Sequence, residues 1–173
     1  MPGLILIAGP CGVGKSTVSE LIAKKTGLTH VDLDAARRKH GSSDRAFRHT
    51  CFNLLACVPK LAPDGRAVID VGGDTMFRTG AASLKSLDCY RDQVEKLKAT
   101  SGCAVVVLDA PKAVLRDRFE SAKPNRAEWF DAGLASWATA KPYWDGLADV
   151  TISTDGLDSS KVCAAIMAQL GQP

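Results

Sequence analysis

The chain has 173 residues, 46% hydrophobic and 24% charged, with a net charge of +3. That is the profile of one globular domain, large enough to bury a proper core. The charge is too mild, and too evenly spread, to suggest nucleic acid as a main partner. No stretch approaches the roughly 20 apolar residues of a membrane span, and the first apolar run is too short for a signal peptide, so a cytoplasmic protein is expected.

The first predicted element is a strand, Leu4-Ile5-Leu6-Ile7-Ala8, whose unbroken apolar run suits a strand buried on both faces of a parallel sheet. It leads into Gly9-Pro10-Cys11-Gly12-Val13-Gly14-Lys15-Ser16-Thr17, a full match to the phosphate-binding pattern G-x-x-x-x-G-K-[ST]. Glycines let the backbone curl so that successive N–H groups of Gly12, Val13, Gly14, Lys15, Ser16 and Thr17 point into one concavity. Lys15 is placed to reach the β- and γ-phosphates of a nucleoside triphosphate, and the Ser16 hydroxyl to ligate Mg²⁺. The following helix turns its positive end toward the phosphates, and Gly27 stands where its C-cap glycine belongs.

A second short strand, Thr29-His30-Val31-Asp32, ends in Asp32-Leu33-Asp34. In an extended segment both carboxylates face one crevice. Asp32 is then a candidate for organising Mg²⁺ and its waters, and Asp34 for accepting a hydrogen bond or proton from a substrate hydroxyl. The competing reading is that Asp34 only caps the helix starting at Ala35. A helix is predicted from about Arg45 to Val58, with Arg48 close to its apolar face, and Pro59 and Pro63 close the segment. A third strand over 66–71 carries Asp70, in an arrangement like the aspartate that holds Mg²⁺ in phosphoryl-transfer proteins. Gly72 and Gly73 beside it let backbone approach a ligand, although a plain turn is the alternative.

Residues 75–99 read as one broken or two short helices, with Arg78 near their start. A fourth strand over 103–109 ends in Asp109, which competes with Asp70 for the metal role; the glycine pair favours Asp70. Next comes a helix from Lys112 and a polar insert through Arg126. Such an insert, placed at about 116–128, can close over a triphosphate and bring guanidinium groups onto it, Arg126 first and Arg118 second. Solvated arginines are the alternative. Trp129, Phe130, Leu134 and Trp137 are expected in the core, with a stacking platform as the alternative. A last strand over 150–153 precedes a helix capped by Asp158 and ended by Gly171. The six cysteines, Cys11, Cys51, Cys57, Cys89, Cys103 and Cys163, form no C-x-x-C pair and read as reduced thiols, with Cys11 placed inside the phosphate loop.

Five β-α units predict an α/β fold with a five-stranded parallel sheet, helices on both faces and a short lid, forming one domain over 1–173. The order of phosphate loop, D-x-D, Phe47-Arg48, Gly72-Gly73, arginine lid and Lys141-Pro142-Tyr143-Trp144 resembles the shikimate kinases, within the nucleoside-monophosphate-kinase-like P-loop kinases. The resemblance spans essentially the whole chain. It implies a three-layer P-loop kinase fold, use of ATP and Mg²⁺, and a small-molecule hydroxyl acceptor, with the monomer as default. By position, Asp34 matches the aspartate contacting substrate hydroxyls, and Arg48 an arginine holding the substrate carboxylate. Gly72 and Gly73 match the substrate loop, Arg126 the lid arginine, and Arg118 the arginine stacked on adenine. Two departures stand out. The family's third glycine is Asp74 here, and Lys141 stands in the segment of its second carboxylate-binding arginine, which keeps the charge but loses the bidentate fork. Shikimate or a similar polyol or hydroxy acid is therefore the first acceptor class. A natural-product or antibiotic kinase, a nucleotide kinase and a non-catalytic nucleotide-binding module are the alternatives. A GTP switch lacks its N-K-x-D motif, since neither Asn53 nor Asn125 is followed by lysine.

Overall fold

The computed structural model describes residues 1–36, 54–72 and 84–171. Five strands, β1 (Leu4–Ala8), β2 (Thr29–Asp32), β3 (Ala67–Asp70), β4 (Ala104–Asp109) and β5 (Val150–Ser153), form one sheet in the order β2-β3-β1-β4-β5. All four pairings are parallel. Parallel neighbours need a crossover between them. The described helices are α1 (Lys15–Thr26), α2 (Leu54–Leu61), α3 (Leu84–Ser101), α4 (Lys112–Ala122), α5 (Trp129–Leu147) and α6 (Ser159–Gln169). A 3₁₀ turn, Pro124–Arg126, joins α4 to α5.

Alternation along each strand sorts the core into two layers. Leu4, Leu6 and Ala8 of β1, with Ile69, Val71, Val105 and Val107, pack against α2, α3 and α5. Ile5 and Ile7, with Val68, Val106 and Leu108, pack against α1, α4 and α6. Both faces of β1 are thus covered, and all five of its residues are buried. The loop after β1 enters a helix on one face, while the chain beyond neighbouring β3 returns through α3 on the other. Such a divergence leaves a crevice beyond the carboxyl ends of the strands, where ligands bind in open α/β sheets.

Local expectations fared unevenly. α1 ends as expected, with the Gly27 N–H donating to the Ala23 carbonyl at 2.9 Å, and Asp158 caps α6 by accepting from the Lys161 N–H at 2.9 Å. Pro59, expected to close a helix, lies inside α2, which runs on to Leu61. Its ring sacrifices one backbone hydrogen bond, while Leu54, Cys57 and Val58 of the same helix are buried in the core. The break expected within 75–99 is absent from the described part, where α3 is one helix of 18 residues. The start of the 45–58 helix lies outside the described residues. No described helix is long and apolar enough to cross a membrane.

Candidate active site

The phosphate loop spans the gap between β1 and α1. Gly12 has φ +82°, and a Cβ there would sit 2.4 Å from the Leu115 carbonyl oxygen. Only glycine fits, because the conformation and the close seat on α4 both exclude a side chain. Gly14, at φ +93°, is the N-cap of α1. The Lys15 Nζ donates to the carbonyls of Gly9 at 2.9 Å and Pro10 at 3.0 Å. It lies folded over its own loop with its charge satisfied by backbone.

β1 and β3 are register neighbours, Ile7 opposite Asp70, and Asp32 lies opposite Asp70 across β2–β3. Those pairings bring two carboxylates to one edge of the sheet. The Ser16 hydroxyl donates to the Asp70 Oδ2 at 2.5 Å, the length of a charge-assisted O–H···O⁻ bond. Burial pushes the Asp70 carboxyl up. The Lys15 charge and the Ser16 bond pull it back, and the Asp32 and Asp34 charges add to the rise. Asp70 is only 5% exposed.

Asp32 and Asp34 differ from the extended-segment expectation. The chain turns helical over 33–36, and Asp32, not Asp34, caps that turn, its Oδ1 accepting from the Ala35 N–H at 2.8 Å. Both still line the cavity. Asp34 lies toward the α2–α3–α5 layer, where its charge and that of Cys57 add to burial in raising the Tyr90 phenol. Asp109 is committed elsewhere. Its Oδ1 accepts from the Ala110 N–H at 2.9 Å, and its Oδ2 lies 3.6 Å from the Lys141 Nζ.

These groups border one cavity of about 910 Å³. Its wall includes the loop from Cys11 to Val18, together with Asp32, Asp34, Asp70 and Gly72. Arg118, Lys123 and Arg126 enter from α4 and the turn beyond it. The cations thus gather at the phosphate loop and the lid, and three carboxylates at the strand ends. Arg118 is held by Thr154, its Nη1 donating to Oγ1 at 2.9 Å and its Nη2 to the carbonyl at 3.0 Å. A short ion-pair set ties α4 to the first turn of α5, where Arg116 grips Asp131 through two 2.8 Å bonds and Lys112 approaches it at 3.1 Å. Those partners hold the Asp131 carboxyl below the usual range.

Two expectations need correction. Lys141 is absent from the cavity wall. Its Nζ is claimed by Asp145, one turn along α5, at 2.8 and 3.0 Å, and by Asp109 at the end of β4. Trp129 is not core. Phe130, Trp137 and Trp144 are buried, but Trp129 is 61% exposed and lines the cavity. Arg48, Gly73, Asp74 and Arg78 lie outside the described residues. Sequence reasoning missed Lys123, Ser136, Thr154 and Leu157 on the wall. A signal existed for Thr154, which follows β5 directly and so reaches the same edge of the sheet.

The family described as an AAA domain matches residues 5–132, from β1 to the first turn of α5. The chain belongs to that family. Among curated relatives of this AAA-domain chain, a shikimate kinase from Dehalococcoides mccartyi is 27% identical over 176 residues, covering 94% of this chain and 90% of the relative. Among solved structures, a shikimate kinase from Bacteroides thetaiotaomicron superposes with a TM-score of 0.68 at 19% identity, covering 98% and 99%. A gluconokinase from Sinorhizobium meliloti 1021 superposes with a TM-score of 0.62 at 21% identity, covering 98% and 91%. The fold is that of the P-loop kinases.

Proposed function

We propose that this protein is a small-molecule kinase that transfers the γ-phosphoryl of ATP to a hydroxyl of a polyol or hydroxy acid. The observation that carries the reading is the meeting of Ser16 and buried Asp70 at the foot of a complete phosphate loop, with Asp34 on the same cavity wall. The donor set fits Mg-ATP. Mg²⁺ prefers a few oxygen ligands and keeps several waters, which suits one hydroxyl with Asp70 and Asp32 behind it. When bound, Mg-ATP supplies the transferable phosphoryl and the metal's positive charge.

The chain's residues do the rest. Backbone N–H groups from Gly12 to Thr17 hold the phosphates, and Lys15 leaves its loop carbonyls to neutralise them. Arg126 brings charge from the lid, and Arg118, fixed by Thr154, offers its guanidinium plane to the base. Asp34 orients the acceptor hydroxyl and takes its proton at a carboxylate oxygen. Gly72, with Gly73 and Arg48 from segments outside the described residues, completes the acceptor side. The D. mccartyi and S. meliloti relatives, named for shikimate and gluconate kinases, support an alcohol acceptor.

The test is ADP release from Mg-ATP, alone and with shikimate, gluconate, other polyols, amino alcohols and nucleoside monophosphates. At least one alcohol should stimulate it, and Asp34→Asn should lower kcat about 100-fold or more with the KM for ATP little changed. Stimulation by nucleoside monophosphates alone would move the reading to a nucleotide kinase. Near-normal turnover in Asp34→Asn would remove its assigned role.

A further inference from the structure

The kinase reading leaves one feature of the cavity unused. Among the described residues three large apolar side chains are exposed, Met1, Trp129 and Leu157, and the last two line this cavity. Leaving an indole in water forgoes one of the largest packing gains a side chain offers.

The geometry of α5 shows where the indole points. Trp137, Ala140, Trp144 and Leu147 form a buried stripe at helical spacing against the sheet. Toward the N-terminus Gly133 continues that stripe, with Trp129, Ser136 and Ala132 to one side of it, and these four line the cavity. Phe130, on the other side, is buried against Phe119 of α4. Lys141, farther along α5, meets Asp109 at the end of β4. Trp129 is twelve residues before it, about 18 Å of helical rise beyond that level. The lower stripe is covered by strands; above them α4 covers Phe130 and leaves Trp129 exposed. On the opposite side of the helix, Asp131 faces α4 through Arg116 and Lys112. Two residues turn a helix by about 200°, so Trp129 faces away from α4 and its Arg118. A Cβ on Gly133 would lie 3.3 Å from the Cys11 Sγ, which shows that α5 is seated directly against the phosphate loop.

The two exposed side chains thus reach the cavity from different elements, Trp129 from α5 and Leu157 from the loop before α6. Leu157 shares its wall with Arg118, Thr154 and the start of α6. Trp129 stands on the flank of α5 turned away from α4. Farther along that helix Trp137 and Trp144 pack in one layer with Val71, next to Gly72, and with Tyr90, which feels the Asp34 charge. We propose that Trp129 is a specificity-determining residue of the acceptor subsite, its indole face packing on the C–H face of a saturated ring alcohol such as a cyclitol or a sugar ring. The inference rests on the kinase reading above and narrows its acceptor class. A flat aromatic face gains most from a partner that presents a continuous apolar face, which a hydroxylated ring does and an open-chain polyol does not. An open chain also loses more rotational freedom on binding. Ala132 and Ser136, both small, line the same wall beside Trp129.

The experiment compares wild type, Trp129→Ala and Trp129→Phe in Mg-ATP turnover, with ring alcohols (inositols, shikimate, pyranoses) and open-chain ones (glycerol, sorbitol, gluconate). Ring acceptors should be preferred. Trp129→Ala should raise the ring-acceptor KM about tenfold or more with the KM for ATP within about twofold, and Trp129→Phe should stay within about threefold of wild type. Because Trp129 is exposed, the variants should melt with the wild type. If Trp129→Ala does not fold, Trp129→Gln, which keeps bulk but removes the aromatic face, should raise the ring-acceptor KM in its place. Overturning results are a ring-acceptor KM unmoved by Trp129→Ala or Trp129→Gln, an ATP KM that rises instead, or preference for open-chain acceptors. Silence with every acceptor is a different failure, that of the kinase reading.

Discussion

The two layers of helices do different work at the same cavity. On the α1–α4–α6 face the site is built mainly from backbone, a loop only glycine can form and a helix N-terminus, with one side chain, Arg118, fixed by Thr154. On the α2–α3–α5 face it is built from side chains that emerge where packing runs out, Asp34 beyond β2 and Trp129 beyond the sheet. Backbone sites tolerate one chemistry and are written as a motif. Side-chain walls vary with the ligand and leave no motif. The contrast explains how a phosphate-binding end can be shared among enzymes whose second substrates differ.

The largest expected effect is on the backbone-built side. Lys15→Ala should lower acceptor-dependent ADP formation about 1000-fold or more in a coupled assay, because no other described cation is seated on the loop. Retained turnover would show that the loop's charge comes from the lid. Arg126→Ala should be milder, about 10- to 100-fold in kcat with little change in the KM for acceptor, since the lid arginine acts on the transferring group.

Asp70 sharpens the contrast through stability. Folding raises its carboxyl above the ordinary value of 3.8, chiefly by burial. A raised acid is at full advantage below pH 3.8, and that advantage is lost as the pH climbs through the raised value. The charged form is therefore a liability at neutral pH, offset in part by the Ser16 bond and the Lys15 charge. Asp70→Asn keeps an acceptor for the Ser16 hydroxyl without the buried charge. Its Tm at pH 7 should match or exceed wild type, and the margin should shrink as the pH is lowered toward 4. A variant that melts lower at pH 7 than at pH 4, relative to wild type, contradicts this.

Much of the first face was legible in the sequence. Periodicity gave the five strands, and the spacing Gly9…Gly14-Lys15-Ser16 gave the loop, because both are local properties of the chain. Asp70 was favoured over Asp109 by its neighbouring glycines, and the structure ties Asp109 to Ala110 and Lys141 instead. The second face was harder to read. Lys141 carries the right charge at a suggestive position, but Asp145 four residues on, and Asp109 brought close by folding, claim it. Trp129 and Trp137 look alike in a helical pattern. Their surroundings decide it: Trp137 packs in the sheet layer, while Trp129, turned away from α4, is left over the cavity. Pro59 misled for the opposite reason, since tertiary packing outweighed a strong local breaker.

The most direct test of the two-faced site is a crossed measurement of both Michaelis constants in Leu157→Ala and Trp129→Ala. The account predicts that Leu157→Ala raises the KM for ATP about threefold and leaves the acceptor unchanged, while Trp129→Ala does the reverse. If both variants weakened the same substrate, the two faces would not divide donor from acceptor and the account would fail.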